Sequence, residues 1–449
     1  MAFRPGGMPV ASFSRLRRGS CGLKFAMLDI RAIRENPEEV KTRLRNRGGE
    51  VWKLVDEVVA CDETRRRCET ERQQLQSQRN TLSKEVGKLK SQGIDATALM
   101  AEVKGIGDRL DQVSRDADAA DLNQRNLLLG IPNLPHPACP IGFDAEANPE
   151  VRVWGSKPDF VFTPKDHVAL GTDRGWLDFD NAAKISGSGF VVYRGAGARL
   201  ERALINFLLD LHSREHGYTE VGVPYLVNRA SMTGTGQLPK FEEDLYGTEA
   251  QELFLIPTAE VPVTNLERDN LRRADELPIQ YAAYTPCFRR EAGAAGRDTR
   301  GMIRMHQFDK VELVWIARPE DSMALLETLT GHAEAVLQKL GLHYRVIELC
   351  TGDIGFSACK TYDIEVWAPG QDRFLEVSSC SNFGDYQARR MNLRYKDESG
   401  KNQPCHTLNG SGTALARLYV ALLETYQQED GSVRLPGALA PYFGSTELV

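Results

Sequence analysis

The sequence predicts an α+β protein in two parts, a long helical hairpin followed by a domain of strands and helices. Three observations predict it. Residues 52–90 and 99–120 carry apolar side chains in seven-residue frames with few breakers. The segment 131–140 packs four prolines into ten residues and ends helical continuity. Beyond it, short alternating runs are interspersed with amphipathic helical patterns.

Composition sets the outer bounds. At 449 residues the chain can hold two or three domains and a large core. Its 41% hydrophobic and 26% charged residues are ordinary for a soluble globular protein. The formal charge of −6 gives no global pull toward nucleic acid, so any RNA contact has to come from a local basic patch. No apolar run approaches the ~20 residues of a membrane-spanning helix. The nine cysteines are scattered, with no paired Cys/His spacing, which reads as reduced thiols in an intracellular protein and gives no expectation of zinc. Residues 1–26 carry Arg4, Arg15, Arg17, Arg18 and Lys24 and no acid, the composition of an organellar presequence. The preferred reading is a start assigned too early, with the chain working in the cytoplasm.

In the first helix of the hairpin, Leu54, Val58, Cys61, Cys68, Leu75, Leu82, Val86 and Leu89 share a seam, and Arg65, Arg72 and Arg79 fall in the same frame. A turn at Ser91, Gln92 and Gly93 leads to Leu99, Val103, Ile106, Leu110, Val113, Ala117 and Ala120. Helices of ~40 and ~30 residues make an antiparallel arm about 50–60 Å long. Between Cys61 and Lys90, eight basic residues stand against five acids. That excess suits a phosphate backbone. A dimerisation coil with a solvated charged face fits the same residues.

After the proline-rich stretch, residues 190–193 read as a short strand. Leu200, Ala203, Leu204, Phe207, Leu208 and Leu211 make one face of a helix ended by Gly217, and a strand over 218–223 stops at Pro224. Residues 233–246, TGTGQLPKFEEDLY, read as a Gly-rich loop over a site. In LIPTAEVPV, Thr258 and Glu260 share one face of an extended segment, with Ala259 between them. Residues 288–312 read as two strands joined by a mobile loop through Gly293, Ala294, Ala295 and Gly296, which also carries Arg297 and Arg300. Guanidinium groups beside such a loop suit a polyphosphate. Glu291 shares a strand face with Arg289, where it can accept from a base amino group. Glu312 ends the return strand among apolar neighbours, so it needs a cationic partner, and an amino acid's ammonium would serve. Residues 363–366 and 374–379 alternate like sheet strands, with Glu376 and Ser378 on one face. A twist or bulge at the strand end would bring Glu376 and Ser379 to one ion, and oxygen-only ligation suits a hard cation. Last, residues 407–424 join a tight Gly-Ser-Gly turn to a helix carrying Arg417 six residues in. The glycines let backbone approach a ligand and the helix start favours anions.

FRREAG followed by HQFDKVE resembles the second signature of class II aminoacyl-tRNA synthetases, in the form found in seryl-tRNA synthetases. The helix, strand and proline before Pro224 resemble the first signature, which forms the family's dimer interface, and residues 407–424 resemble the third. The resemblance runs from Met27, where MLDIRAIRENPEEV resembles the usual start, and TGTGQLPKFEEDLY is similar to a hallmark of the seryl branch. It implies a mainly antiparallel sheet flanked by helices, a homodimer, and activation of L-serine by ATP with Mg²⁺ before transfer to tRNA(Ser), and to tRNA(Sec). The implied ATP contacts are Arg289, Arg290, Glu291, Phe308, Glu376, Val377, Ser378, Ser379 and Arg417, with adenine between Phe308 and Arg417, and Mg²⁺ on Glu376 and Ser379. The implied serine contacts are Thr258, Ala259, Glu260, Arg289, Glu312 and Ser411, with Arg289 and Arg417 as the catalytic charges. The arm, through Arg65, Arg72 and Arg79, is implied to grip the tRNA. The expected division is an extension over 1–26, the arm over 27–130, a linker over 131–150 and a catalytic domain over 151–449, with no stretch left for an editing domain.

Overall fold

The computed structural model describes residues 28–250, 252–292 and 300–448. The extension 1–26 and loop residues Gly293, Ala294, Ala295, Gly296 and Arg297 lie outside them. Helices Leu54–Ser91 and Thr97–Gly130 pair as the arm. Val58, Cys68, Leu110, Val113 and Ala117 are buried in its seam, while Leu82, Val86, Val103 and Ile106 toward the tip are only half-buried. Two helices offer each other one face, so burial is deepest at the base. There Ile33, Leu44, Val55, Leu128 and Ile131 form a core with Tyr386 of the following body. The proline-rich stretch is tied down: Asn133 Nδ2 donates to the carbonyls of Ser357 at 2.9 Å and Phe383 at 2.7 Å. Arg47 donates to the carbonyls of Ile354 and Gly355.

The body is organised around an eight-stranded sheet in the order Glu150–Trp154, Tyr344–Glu348, Lys360–Ala368, Arg373–Asn382, His406–Ala414, Gln307–Ala317, Ile279–Phe288, Thr219–Glu220. Every pairing is antiparallel except the last. Helices Ala196–Asp210, Ser322–Lys339 and Leu415–Tyr426 pack on the sheet to form much of the main core. The fold is therefore α+β, a helical arm on an antiparallel sheet. Among the described residues no helix is long and apolar enough to cross a membrane.

Local readings shift in instructive ways. The run 190–193 shortens to a strand at Val192–Tyr193, and 218–223 to Thr219–Glu220. Thr233, Gly234 and Thr235 end a helix, Arg229–Thr235, capped by Gly236 at φ +91°, so 233–246 is not one open loop. Thr258 follows strand Leu253–Leu255 and Glu260 opens helix Glu260–Thr264, so the two are not on an extended segment. The hairpin strands pair from Phe288↔Gln307 to Ile279↔Ile316, which leaves Arg289, Arg290 and Glu291 beyond the strand, with Glu291 at φ +50°. Glu312 sits mid-strand, not at its end. Gly410, Ser411 and Gly412 belong to strand His406–Ala414 rather than to a turn, and Arg417 is the third residue of its helix. A Cβ on Gly410 would stand 2.5 Å from Leu329 Cδ2, and one on Gly412 would stand 2.6 Å from His212 Nε2. Those glycines admit core side chains, not a ligand.

Candidate functional site

One cavity of about 650 Å³ opens over the sheet between the strand Gln307–Ala317, the strand Arg373–Asn382 and the start of helix Leu415–Tyr426. Its lining includes Thr258, Glu260, Arg289, Glu291, Phe308, Glu312, Glu376, Val377, Ser379, Ser411 and Arg417, residues far apart in sequence. Arg290, Ala259 and Ser378 are not in the lining. The Arg290 backbone N–H donates to Asp244 O, Ala259 is buried, and Ser378 points its hydroxyl into the sheet.

At the acidic end, Ser411 and Glu312 lie directly opposite each other across paired strands. Lys310, two residues before Glu312 on the same strand face, is buried with it. Its Nζ pairs with the Glu312 carboxylate and donates to Thr258 Oγ1 at 2.8 Å. The chain itself thus supplies the cation that Glu312 calls for. Gln387 Nε2 donates to Glu260 Oε1 at 2.6 Å. Burial, reinforced by the neighbouring Glu312 charge, pushes the Glu260 carboxyl up to about 7.

At the basic end, the Arg289 guanidinium stands 5.1 Å from the centroid of Phe308, a cation–π contact, and its Nε donates to Pro257 O at 3.4 Å. Arg417 instead lies against the Glu376 strand: Nη1 donates to Glu376 O at 2.7 Å and is 3.5 Å from its carboxylate, while Nε donates to Ile303 O. So the cation over Phe308 is Arg289. Glu291 does not share a strand face with Arg289; it is ion-paired with Arg304, another lining residue.

The bulge expected on the Glu376 strand is there, in mid-strand rather than at its end. Ile364 pairs with Ser378 but Glu365 pairs with Glu376, which leaves Val377 as the extra residue. Glu376 and Ser379 both line the cavity as a result, and Ser378 donates to Ser411 O at 2.6 Å. Asp363 faces Ser379 across the strands and accepts from its hydroxyl. Its Oδ1 is buried with no hydrogen-bond partner, and burial together with Glu376 holds the carboxyl well above the usual range.

Lys310, Asp363, Gln387 and Arg304 are the residues that sequence reasoning missed. Period-two spacing from Glu312 points to Lys310. No comparable sequence signal points to the other three. On the arm, Arg65 is held by buried Asp62 at 3.1 Å and Arg72 by Glu69 at 2.7 Å, while Arg79 is half-buried. Arg66 and Arg67 face solvent.

Residues 27–135 match a family model described as the seryl-tRNA synthetase N-terminal domain, and residues 240–426 match one for the class II tRNA synthetase core domain (G, H, P, S and T). The chain is 67% identical over 419 residues to the serine–tRNA ligase of Akkermansia muciniphila, covering 93% of this chain and 98% of that one. It is 53% identical over 424 residues to the serine–tRNA ligase of Listeria innocua, covering 94% and 99%. The crystal structure of seryl-tRNA synthetase from Pyrococcus horikoshii complexed with ATP superposes with a TM-score of 0.89 at 40% identity, over 94% of this chain and 99% of that one.

Proposed function

The chain belongs to the seryl-tRNA synthetase family, and from that premise we propose how the cavity over the sheet activates L-serine with ATP and passes the seryl group to tRNA. The observation that carries this reading is the polarity of the cavity. Glu260 and Glu312 stand beside Thr258, where an ammonium can sit, and Arg289 and Arg417 line the same cavity at Phe308 and the Glu376 strand, where phosphates can sit. The serine ammonium sits among Glu260, Glu312 and Thr258, and its carboxylate attacks the α-phosphorus of ATP. That carboxylate is already ionised at neutral pH, so the step needs no general base. Arg289 and Arg417 neutralise charge on the phosphates as it develops. The adenine ring belongs beside Phe308. Seryl-adenylate and pyrophosphate result, and a ribose hydroxyl of the tRNA's terminal adenosine then attacks the activated carbonyl.

The orphaned Asp363 Oδ1 beside Ser379 and the oxygen-only donors fit a hard divalent cation. Glu376 and Ser379 would hold Mg²⁺, which when bound neutralises phosphate oxygens. Alanine would leave the buried polar groups around Ser411 unpaired, a penalty larger than a missing methylene alone imposes. Serine-dependent ATP/pyrophosphate exchange, followed by charging of tRNA(Ser), tests the whole scheme; exchange driven by another amino acid would overturn it.

The raised Glu260 carboxyl makes serine binding depend on pH. An ammonium alongside favours the ionised form, so binding displaces a proton wherever Glu260 is protonated beforehand. Below about pH 7 the serine KM is expected to climb by up to about tenfold per pH unit, while the ATP KM stays level. A serine KM that is flat from pH 8 to 6 would contradict the assignment. The sign for stability is separate: the folded carboxyl keeps its proton longer than the unfolded one. Its share of stability therefore falls as pH rises from 4.5 to about 7.

The arm grips the tRNA backbone. Glutamate at Arg72 and Arg79, or at the more exposed Arg66 and Arg67, is expected to lower kcat/KM for tRNA about tenfold at moderate salt and to leave exchange intact. Equal losses in both assays would count against a tRNA-binding arm. Because backbone contacts carry no base identity, tRNA(Sec) is included as a second acceptor. We place a homodimer contact at helix Ala196–Asp210 and the segment beyond Pro224, where Tyr225 and Leu226 are exposed. Sedimentation equilibrium showing a monomer would remove it.

A further inference from the structure

Strand His406–Ala414 leaves its register at the acidic end of the cavity. Ser411 pairs opposite Glu312, and pairing resumes only at Ala414 opposite Lys310. The carbonyls at this bulge take side-chain partners instead. Ser378 Oγ donates to Ser411 O at 2.6 Å, and His212 Nε2 lies 2.7 Å from Gly412 O. His212 is wholly buried in a π-helical turn, Leu211–Glu215, that continues helix Ala196–Asp210. Such turns often occur at functional sites.

The protons of this cluster are determined by chemistry alone. A carbonyl can only accept, so His212 carries its proton on Nε2. Burial keeps the ring neutral, with its pKa lowered to about 3. Its bare Nδ1 must then accept, so His216 Nδ1, 3.0 Å away, is the donor. Trp315 Nε1 donates to Tyr218 Oη at 2.6 Å, and the Tyr218 proton goes to His332 Nδ1 at 3.0 Å. His332 stacks on His216 at 4.1 Å. One tautomer of each ring satisfies all these contacts.

We propose that His212 is a positioning residue for the amino-acid end of the cavity: oriented by His216, its Nε2–H holds Gly412 O and thereby fixes the bulge that directly follows Ser411, the residue opposite Glu312. This rests on the reading that Ser411 and Glu312 hold serine. His212 is not among the residues that line the cavity. The Gly412 contact explains why the strand has a glycine there, since a Cβ would stand 2.6 Å from the imidazole.

The test compares His212→Gln, which keeps an amide donor, with His212→Met, which has similar bulk and no donor. In ATP/pyrophosphate exchange the Met variant should raise the serine KM about tenfold or more, as expected for one lost buried hydrogen bond, with ATP KM and kcat within about threefold. The Gln variant should recover most of that loss. Equal KM values in both variants, or parallel rises for serine and ATP, would overturn the proposal in favour of simple packing. Should the Met variant not fold, ¹⁵N-histidine NMR on the wild-type protein decides: His212 protonated at Nε2 supports the proposal, and protonation at Nδ1 refutes it. Wild-type protein without serine-dependent exchange would sink the functional reading instead, and the tautomer measurement stays informative in that case.

Discussion

Replacing Glu312 with alanine is expected to abolish serine-dependent pyrophosphate exchange. Glu312 and Lys310 are buried as an ion pair, with Lys310 also bonded to Thr258. Removing the carboxylate leaves an ammonium uncompensated in the cavity wall, and breaking such a pair from one side costs about 3–5 kcal/mol. The incoming serine ammonium then meets a like charge where it needs an opposite one. Together these correspond to a loss of about 10³-fold or more in kcat/KM for serine. Glu312→Gln keeps the shape without the charge and should fall between. ATP binding, measured by calorimetry, should survive in both variants because the nucleotide contacts, Arg289, Phe308 and Arg417, are other residues of the cavity. Near-normal exchange by Glu312→Ala would remove Glu312 from the site.

Arg417→Ala is expected to lower kcat for exchange by about 10²–10³-fold, the usual cost of removing one preorganised donor aimed at developing charge. Arg417 is held in place by Glu376 O and Ile303 O and is only partly exposed, so its fork is aimed before substrate arrives. The loss should appear equally in kcat and in kcat/KM, the mark of an interaction made in the transition state. Arg417→Lys restores charge but not the planar fork, so its recovery should be partial. A variant with unchanged kcat and only a raised ATP KM would reduce Arg417 to a ground-state contact.

These two residues were reachable from sequence because each is embedded in a local signature, and the same holds for much of the fold. The arm was legible because heptad spacing is a local property: Val58, Cys68, Leu110, Val113 and Ala117 are all in the buried seam. The bulge at Val377 could be anticipated because strict alternation would have put Glu376 and Ser379 on opposite faces. Where short-range readings failed, a long-range partner had overruled them. Glu260 looked extended in isolation, yet it opens a helix and takes a hydrogen bond from Gln387, 127 positions away. Glu291 turned toward Arg304 because the strand ends at Phe288.

By itself the sequence determined the periodicities, the breakers and the chemical types at the signature positions, and hence a helical arm, a sheet and a family. Only the tertiary structure decided which amide meets Glu260, namely that of Gln387, which carboxyl oxygen is left orphaned, as Oδ1 of Asp363 is, and which backbone carbonyl needs His212. Those outcomes follow from strand register and burial. Both are set by contacts between residues tens to hundreds of positions apart, and no window along the chain contains both partners.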